Sequence, residues 1–182
     1  MTIRRPIFLI GYRGTGKSTV ARLLADRLRC SWLDADVVLE MRAGKSIRQI
    51  FADDGEQAFR DLESAIIQEL AQANNTVVAT GGGVVLRPEN RSELKKGTTV
   101  WLHAPADVLW QRLNSDETTR ERRPNLAQGG LAEIEEMLRI RTPIYEACAD
   151  FVVDTTVNKP EQVVELLAGV LTSSAKSQEP EA

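Results

Sequence analysis

Apolar residues fall in short unbroken runs along this chain, each closed by a glycine or a polar residue, with helical periodicity in the stretches between them. The first run, residues 7–10, is four apolar residues ended by Gly11. It is apolar on both faces and too short for a helix, so it predicts a buried strand. Over residues 17–29, Val20, Leu23, Leu24 and Leu28 recur at helical spacing, with Arg22, Asp26 and Arg27 opposite. The opening is therefore strand, glycine loop, helix. The pattern then repeats: Trp32 and Leu33 end at Asp34, residues 76–80 end at Gly81, residues 99–102 end near His103, and residues 151–153 end at Asp154. Residues 56–73 and 131–148 are the clearest of the intervening helices. An alternating β and α succession predicts a mostly parallel sheet of five strands, covered on both faces and joined by right-handed crossovers.

Two segments break this rhythm. Residues 114–130 are polar, rich in Arg and Glu, and carry Pro124 and Gly129-Gly130 without a hydrophobic period. A loop of that length inside a compact domain predicts a functional lid. Residues 173–182 are small and polar with a proline, which predicts a disordered tail after a single domain over 1–172.

Composition narrows the class without changing the fold. The 182 residues are 42% hydrophobic and 27% charged, the mix of a globular domain. A net charge of -3, with no run of consecutive Lys and Arg tracking along a helix, argues against nucleic acid as a partner. Cys30 and Cys148 are the only cysteines, too few for a disulfide framework and without metal-site spacing. The apolar run after Pro6 is too short for a signal peptide or a membrane span. The expectation is a cytoplasmic protein with free thiols, and a monomer as the simplest state.

Candidate chemistry begins at Gly11-Tyr12-Arg13-Gly14-Thr15-Gly16-Lys17-Ser18, which fits GxxxxGK[ST] between a strand and a helix. Glycines let backbone N–H groups turn inward around phosphate oxygens, and the helix N-terminus adds partial positive charge there. Gly14, Thr15 and Gly16 form the cradle, Lys17 reaches the β and γ phosphates, Ser18 is placed to bind Mg²⁺, and Thr19 adds a hydroxyl. The fold class expected is α/β, a P-loop NTPase-type parallel sheet with a mobile lid. Guanine recognition lacks support, because Asn158-Lys159-Pro160-Glu161 ends in Glu where NKxD needs Asp. No segment resembles the signature of a transport ATPase, and the chain is short for a motor core. A small-molecule kinase using ATP remains.

Leu33-Asp34-Ala35-Asp36 puts two carboxylates at the end of the second strand, the edge where ligands bind in open α/β sheets. Asp34 is placed to join the Mg²⁺ shell and Asp36 to accept from a substrate hydroxyl, while a role for Asp36 as a helix N-cap stays open. Gly81-Gly82-Gly83 suggests close approach of main chain to a ligand, or a tight turn. Arg60 and Arg141 offer planar paired donors for one carboxylate, with a surface salt bridge as the other reading of each. His103, the single histidine, reads as structural.

Taken in order, the P-loop, the LDAD at 33–36, DGEQAFRDLE at 54–63, the glycine triplet, Arg123-Pro124 and RTPIY at 141–145 resemble the shikimate kinase family over residues 7–171. Asn125 departs from the leucine that often follows the Arg-Pro pair there. The resemblance implies that Asp36, Arg60, Gly82 and Arg141 hold shikimate. It implies that Arg123, one of three lid arginines with Arg120 and Arg122, closes over the phosphates. It also implies that Arg112 stacks on adenine, with the loop of Lys159 and Pro160 on its other side. The activity expected is transfer of phosphate from ATP·Mg²⁺ to the 3-hydroxyl of shikimate, with Lys17, Asp36 and Arg123 as the catalytic residues. The rivals are a related kinase acting on gluconate or a nucleoside monophosphate, and a non-catalytic nucleotide-binding regulator.

Overall fold

β1 (Ile7–Ile10) is buried at every residue, which a strand achieves only with neighbours on both edges and cover on both faces. It pairs in parallel with β3 (Thr76–Ala79) on one side and β4 (Thr98–His103) on the other. β2 (Ser31–Asp34) extends the sheet beyond β3, and β5 (Phe151–Asp154) extends it beyond β4. The resulting order, β2-β3-β1-β4-β5, is the five-stranded parallel sheet that the alternation predicts. The structure is a computed structural model that describes residues 3–115 and 130–176.

Alternate residues of β1 face opposite layers, as strand geometry requires. Phe8 and Ile10 join one core with Val78 and Trp101, covered by Leu39 of α2 (Ala35–Ala43), Ile47 and Ile50 of α3 (Ile47–Asp53), and Phe59, Ile66 and Ile67 of α4 (Gly55–Leu70). Ile7 and Leu9 join the other with Val77, Val100 and Leu102, covered by Val20 and Leu24 of α1 (Lys17–Leu28). A short 3₁₀ turn (Val84–Leu86) and α5 (Pro88–Leu94) lie between β3 and β4, followed by α6 (Ala106–Ser115) and α7 (Gly130–Cys148). α8 (Pro160–Lys176) adds Val163, Val164 and Leu167 to the second core.

Local signals explain the helix boundaries. Gly16 and Arg29, both left-handed, bracket α1. The α2 N-cap is Asp34, whose carboxylate accepts from the N–H groups of Asp36 and Val37, so the N-cap role left open for Asp36 falls to its neighbour. Ser46 and Gln49 form a capping box on α3.

Two expected boundaries move. The tail predicted from residue 173 does not begin there, because α8 continues to Lys176. Its apolar face, ending with Leu171 against the second core, carries the helix past the loss of apolar residues. Of the segment 114–130 expected as a lid, residues 114–115 end α6 and Gly130 begins α7, and residues 116–129 lie outside the described residues. Arg120, Arg122 and Arg123 lie outside the described residues. No helix among the described residues is long and apolar enough to cross a membrane.

Because every strand runs the same way, all five C-terminal ends lie along one sheet edge. The P-loop, Asp34, the glycine triplet, His103 and Asp154 follow those ends. Gly11 leaves β1 at φ 136°, and a Cβ there would stand 2.3 Å from the Leu102 carbonyl oxygen of β4. Only glycine allows the loop to turn that close to the sheet.

Candidate active site

The P-loop wraps the N-terminus of α1, where unpaired backbone N–H groups favour an anion. Thr15 Oγ1 donates to the Tyr12 carbonyl at 2.8 Å and pins the loop's curvature. Lys17 is 8% exposed, and its Nζ donates to the carbonyls of Gly11 at 3.0 Å and Tyr12 at 2.9 Å. These bonds hold the ammonium against the inside of the loop instead of in solvent. Ser18 Oγ donates to Asp34 Oδ2 at 2.5 Å, while Asp34 Oδ1 accepts from the α2 amides. The strand-end carboxylate thus joins two helix N-termini. Gly14 and Gly16, at φ 81° and 89°, shape the loop, and Thr19 is exposed at its rim.

The glycine triplet lies directly against this loop. Thr80 ties it to β1, with its N–H and Oγ1 both donating to the Leu9 carbonyl at 3.1 and 2.9 Å. A Cβ on Gly82 would stand 3.4 Å from the Arg13 nitrogen and 3.5 Å from the Gly11 oxygen. A Cβ on Gly81 would press on Glu63 Oε1 at 2.8 Å and on Asp36 Oδ1 at 2.9 Å. A Cβ on Gly83 would collide with Arg60, at 2.4 Å from Nη1 and 2.8 Å from Nη2. The Gly82 carbonyl accepts from Arg141 Nη1 at 3.2 Å and from the Tyr145 hydroxyl. The Arg141 guanidinium also lies over the Tyr12 ring, 5.7 Å from its centroid. Asp36, Arg60 and Arg141, drawn from three separate helices, therefore gather around Gly81, Gly82 and Gly83 beside the P-loop.

Three further residues belong to this arrangement. Glu63 is 4% exposed and accepts from Arg60 Nη1 at 2.7 Å. It occupies a position in the apolar stripe of Phe59, Ile66, Ile67 and Leu70, and a carboxylate in such a stripe is the sequence signal that marks it. Tyr145, one turn after Arg141, buries its ring against Trp101 at 5.7 Å between centroids. Tyr12 is buried within a third core of Leu109, Leu113 and Ile134, so one P-loop side chain reaches both α6 and α7.

Burial pushes the Tyr145 phenol up to about 12, with Arg141 opposing. An unfolded phenol ionises near pH 10, so between about pH 10 and 12 the unfolded chain sheds a proton that the folded chain keeps. Stability that is complete below pH 10 is therefore lost as pH rises through that window. Unfolding in urea across this range is expected to show a shallower decline for Tyr145→Phe than for the natural chain. At neutral pH the same variant loses about 1 kcal/mol with the hydrogen bond to Gly82.

Arg112 Nη1 donates to the Gly14 carbonyl at 3.4 Å and to Thr155 Oγ1 at 3.2 Å, and its Nη2 donates to the Thr155 carbonyl at 2.5 Å. It joins the P-loop to the start of the segment after β5. Asp154 accepts from the Thr156 N–H at 2.7 Å, and Thr156 holds its carboxyl below the usual range. Lys159 and Pro160 lie at the far end of this segment, where the Lys159 N–H donates to Gln162 at the head of α8. The hydrogen bonds of the Arg112 guanidinium thus run to Thr155 and Gly14. His103 serves the framework: its carbonyl accepts from both the N–H and the hydroxyl of Thr155, and its ring meets the edge of Trp101.

Comparison with known proteins gives one consistent result. The family model for shikimate kinase matches residues 13–172. The shikimate kinase of Rhodopirellula baltica is 43% identical over 160 residues, covering 87% of this chain and 86% of its own. That of Thermosynechococcus vestitus is 44% identical over 176 residues, 96% of this chain and 93% of its own. Among solved structures, the shikimate kinase of Acinetobacter baumannii in complex with shikimate is 32% identical and covers 94% of both chains, with a TM-score of 0.87. The Aquifex aeolicus enzyme is 36% identical and covers 93% of this chain and 98% of its own, with a TM-score of 0.80. Sequence, fold and the order of the motifs agree, and this chain belongs to the shikimate kinase family.

Proposed function

We propose that this chain transfers the γ-phosphate of ATP to the 3-hydroxyl of shikimate, giving shikimate 3-phosphate and ADP on the route to aromatic amino acids. The observation that carries this reading is the gathering of Asp36, Arg60 and Arg141 around the glycine triplet that abuts the P-loop. Two guanidiniums suit a substrate with one carboxylate, and a nearby carboxylate suits its hydroxyls. Shikimate carries both. In this reading Arg60 and Arg141 fix the carboxylate, the Gly82 N–H adds a donor, and Asp36 orients the reacting hydroxyl or takes its proton.

Phosphoryl transfer needs alignment and charge stabilisation more than covalent help. Lys17 supplies a positive charge already oriented within the loop. Ser18 and Asp34 present oxygen donors 2.5 Å apart at the mouth of the P-loop, a donor set that fits Mg²⁺. Among the described residues no group of three His, Cys, Asp or Glu is placed to hold a metal, and a hard cation bound mainly by phosphates and water needs no such cage. When bound, Mg²⁺ neutralises charge on the phosphates. The closing of Arg123 over the phosphates and the stacking of Arg112 on adenine, opposite Lys159 and Pro160, rest on the family resemblance. The thiols of Cys30 and Cys148 are both free, which suits the reducing cytoplasm, and the enzyme acts as a monomer.

An ADP-release assay tests the reading, with shikimate, gluconate and nucleoside monophosphates offered in parallel. Turnover with shikimate alone is expected, with shikimate 3-phosphate as product. Turnover with gluconate or a nucleotide instead would select the related kinase. ATP binding without turnover on any acceptor would select the regulator.

A further inference from the structure

Arg60 grips two carboxylates of its own helix, and they are unequal. Glu63, three residues on, meets Nη1 at 2.7 Å with side-chain exposures of 13% for the arginine and 5% for the glutamate. Glu56, four residues back, places Oε1 at 3.3 Å from Nε and 3.2 Å from Nη2, and its side chain is 66% exposed. Nε and Nη2 form the edge of a guanidinium that offers paired parallel donors to a carboxylate. An internal carboxylate therefore sits where an acidic ligand would bind Arg60. Nη1 does not provide a second docking edge, because Glu63 holds it.

The two pairs differ in how readily they part. Separating Arg60 from Glu63 would break a buried ion pair, which is strongly unfavourable. The Glu56 pair is an exposed (i, i+4) contact of small worth. Glu56 also lies in the first turn of α4, where the helix N-terminus keeps favouring a negative charge after Arg60 is released. The neighbouring acids do not depend on Arg60, since Lys45 pairs with Asp53 at 3.3 Å and Asp54 at 2.9 Å.

We propose that Glu56 is a displaceable internal anion, competing with the carboxylate of the acceptor for the Nε and Nη2 edge of Arg60 and so setting the affinity of the site for acids. This deepens the acceptor assignment proposed above and rests on it. Glu56 touches no reacting atom, and its effect passes through Arg60 alone.

Steady-state kinetics of Glu56→Gln and Glu56→Ala provide the test. KM for shikimate is expected to fall about two- to fivefold in both, as loss of a weak exposed competitor implies, while kcat and KM for ATP move by less than about twofold. The carboxamide analogue of shikimate, which lacks the charge, is expected to show no such fall. An unchanged or raised KM for shikimate in both variants would overturn the proposal, as would an equal fall for the carboxamide. If the natural chain released no ADP with shikimate, the acceptor assignment would fail and take this inference with it. Turnover by the natural chain with an unmoved KM in the variants would end this inference alone.

Discussion

Lys17→Ala is expected to lower kcat on the order of a hundred- to thousandfold, the scale on which one preorganised charge donor acts in a transition state. The reason lies in how the ammonium is held. Its stem is buried and its Nζ is already directed by two carbonyls of the same loop, Gly11 and Tyr12. Little reorganisation is needed when charge develops on the transferring phosphate, so the loss should appear in turnover more than in acceptor affinity. The substitution also removes a charged donor from two buried carbonyls, each such bond contributing about 1.5–3 kcal/mol at most. A lower melting temperature should accompany the kinetic loss, and kcat must be measured well below it. A folded Lys17→Ala chain that retained its kcat would remove Lys17 from the mechanism.

Arg141→Ala is expected to raise KM for shikimate about ten- to hundredfold, the equivalent of one charge-assisted hydrogen bond of about 1.5–3 kcal/mol. Arg60→Ala should act in the same direction. The Arg141 variant is easier to interpret, because its described partners, the Gly82 carbonyl, the Met137 sulfur at 3.6 Å, the Tyr12 ring and the Tyr145 hydroxyl, include no buried carboxylate. Loss of Arg60 instead breaks its buried pair with Glu63 and mixes a stability defect into the kinetics. Arg141→Lys should fall between, since lysine keeps the charge but not the planar paired donors. The check is a full saturation curve for each substrate: KM for shikimate should rise while KM for ATP stays near its original value. An unchanged KM for shikimate in both alanine variants would mean that the acceptor binds elsewhere.

Much of this site was legible before any coordinates, for reasons that differ residue by residue. The P-loop is contiguous and made mainly of backbone, so its strand, glycine turn and helix announce themselves in eight adjacent residues. The half-buried acid Asp34 was marked by its place at a strand end, but its pairing with Ser18 was not, because β3 lies between β2 and β1 and only the folded sheet brings the two segments together. Glu63 was harder to see, because a lone carboxylate in an apolar stripe is meaningful only once its partner Arg60 is known to face the same cleft. Tyr145 was harder still, since nothing near it in sequence shows that its hydroxyl finds a carbonyl 63 residues away. The helical start of residues 173–176 was missed because composition alone does not register that the preceding turns are anchored to the core.

Periodicity, turn residues and the glycine motif act over one or two turns of chain. Those short-range terms determined the alternating elements, the nucleotide loop and the side of the sheet on which chemistry occurs. The order of strands and the meeting of Asp36, Arg60, Gly82 and Arg141 depend on contacts between residues far apart in the chain. Those contacts are selected by which apolar faces bury one another, and only the folded molecule resolves that choice.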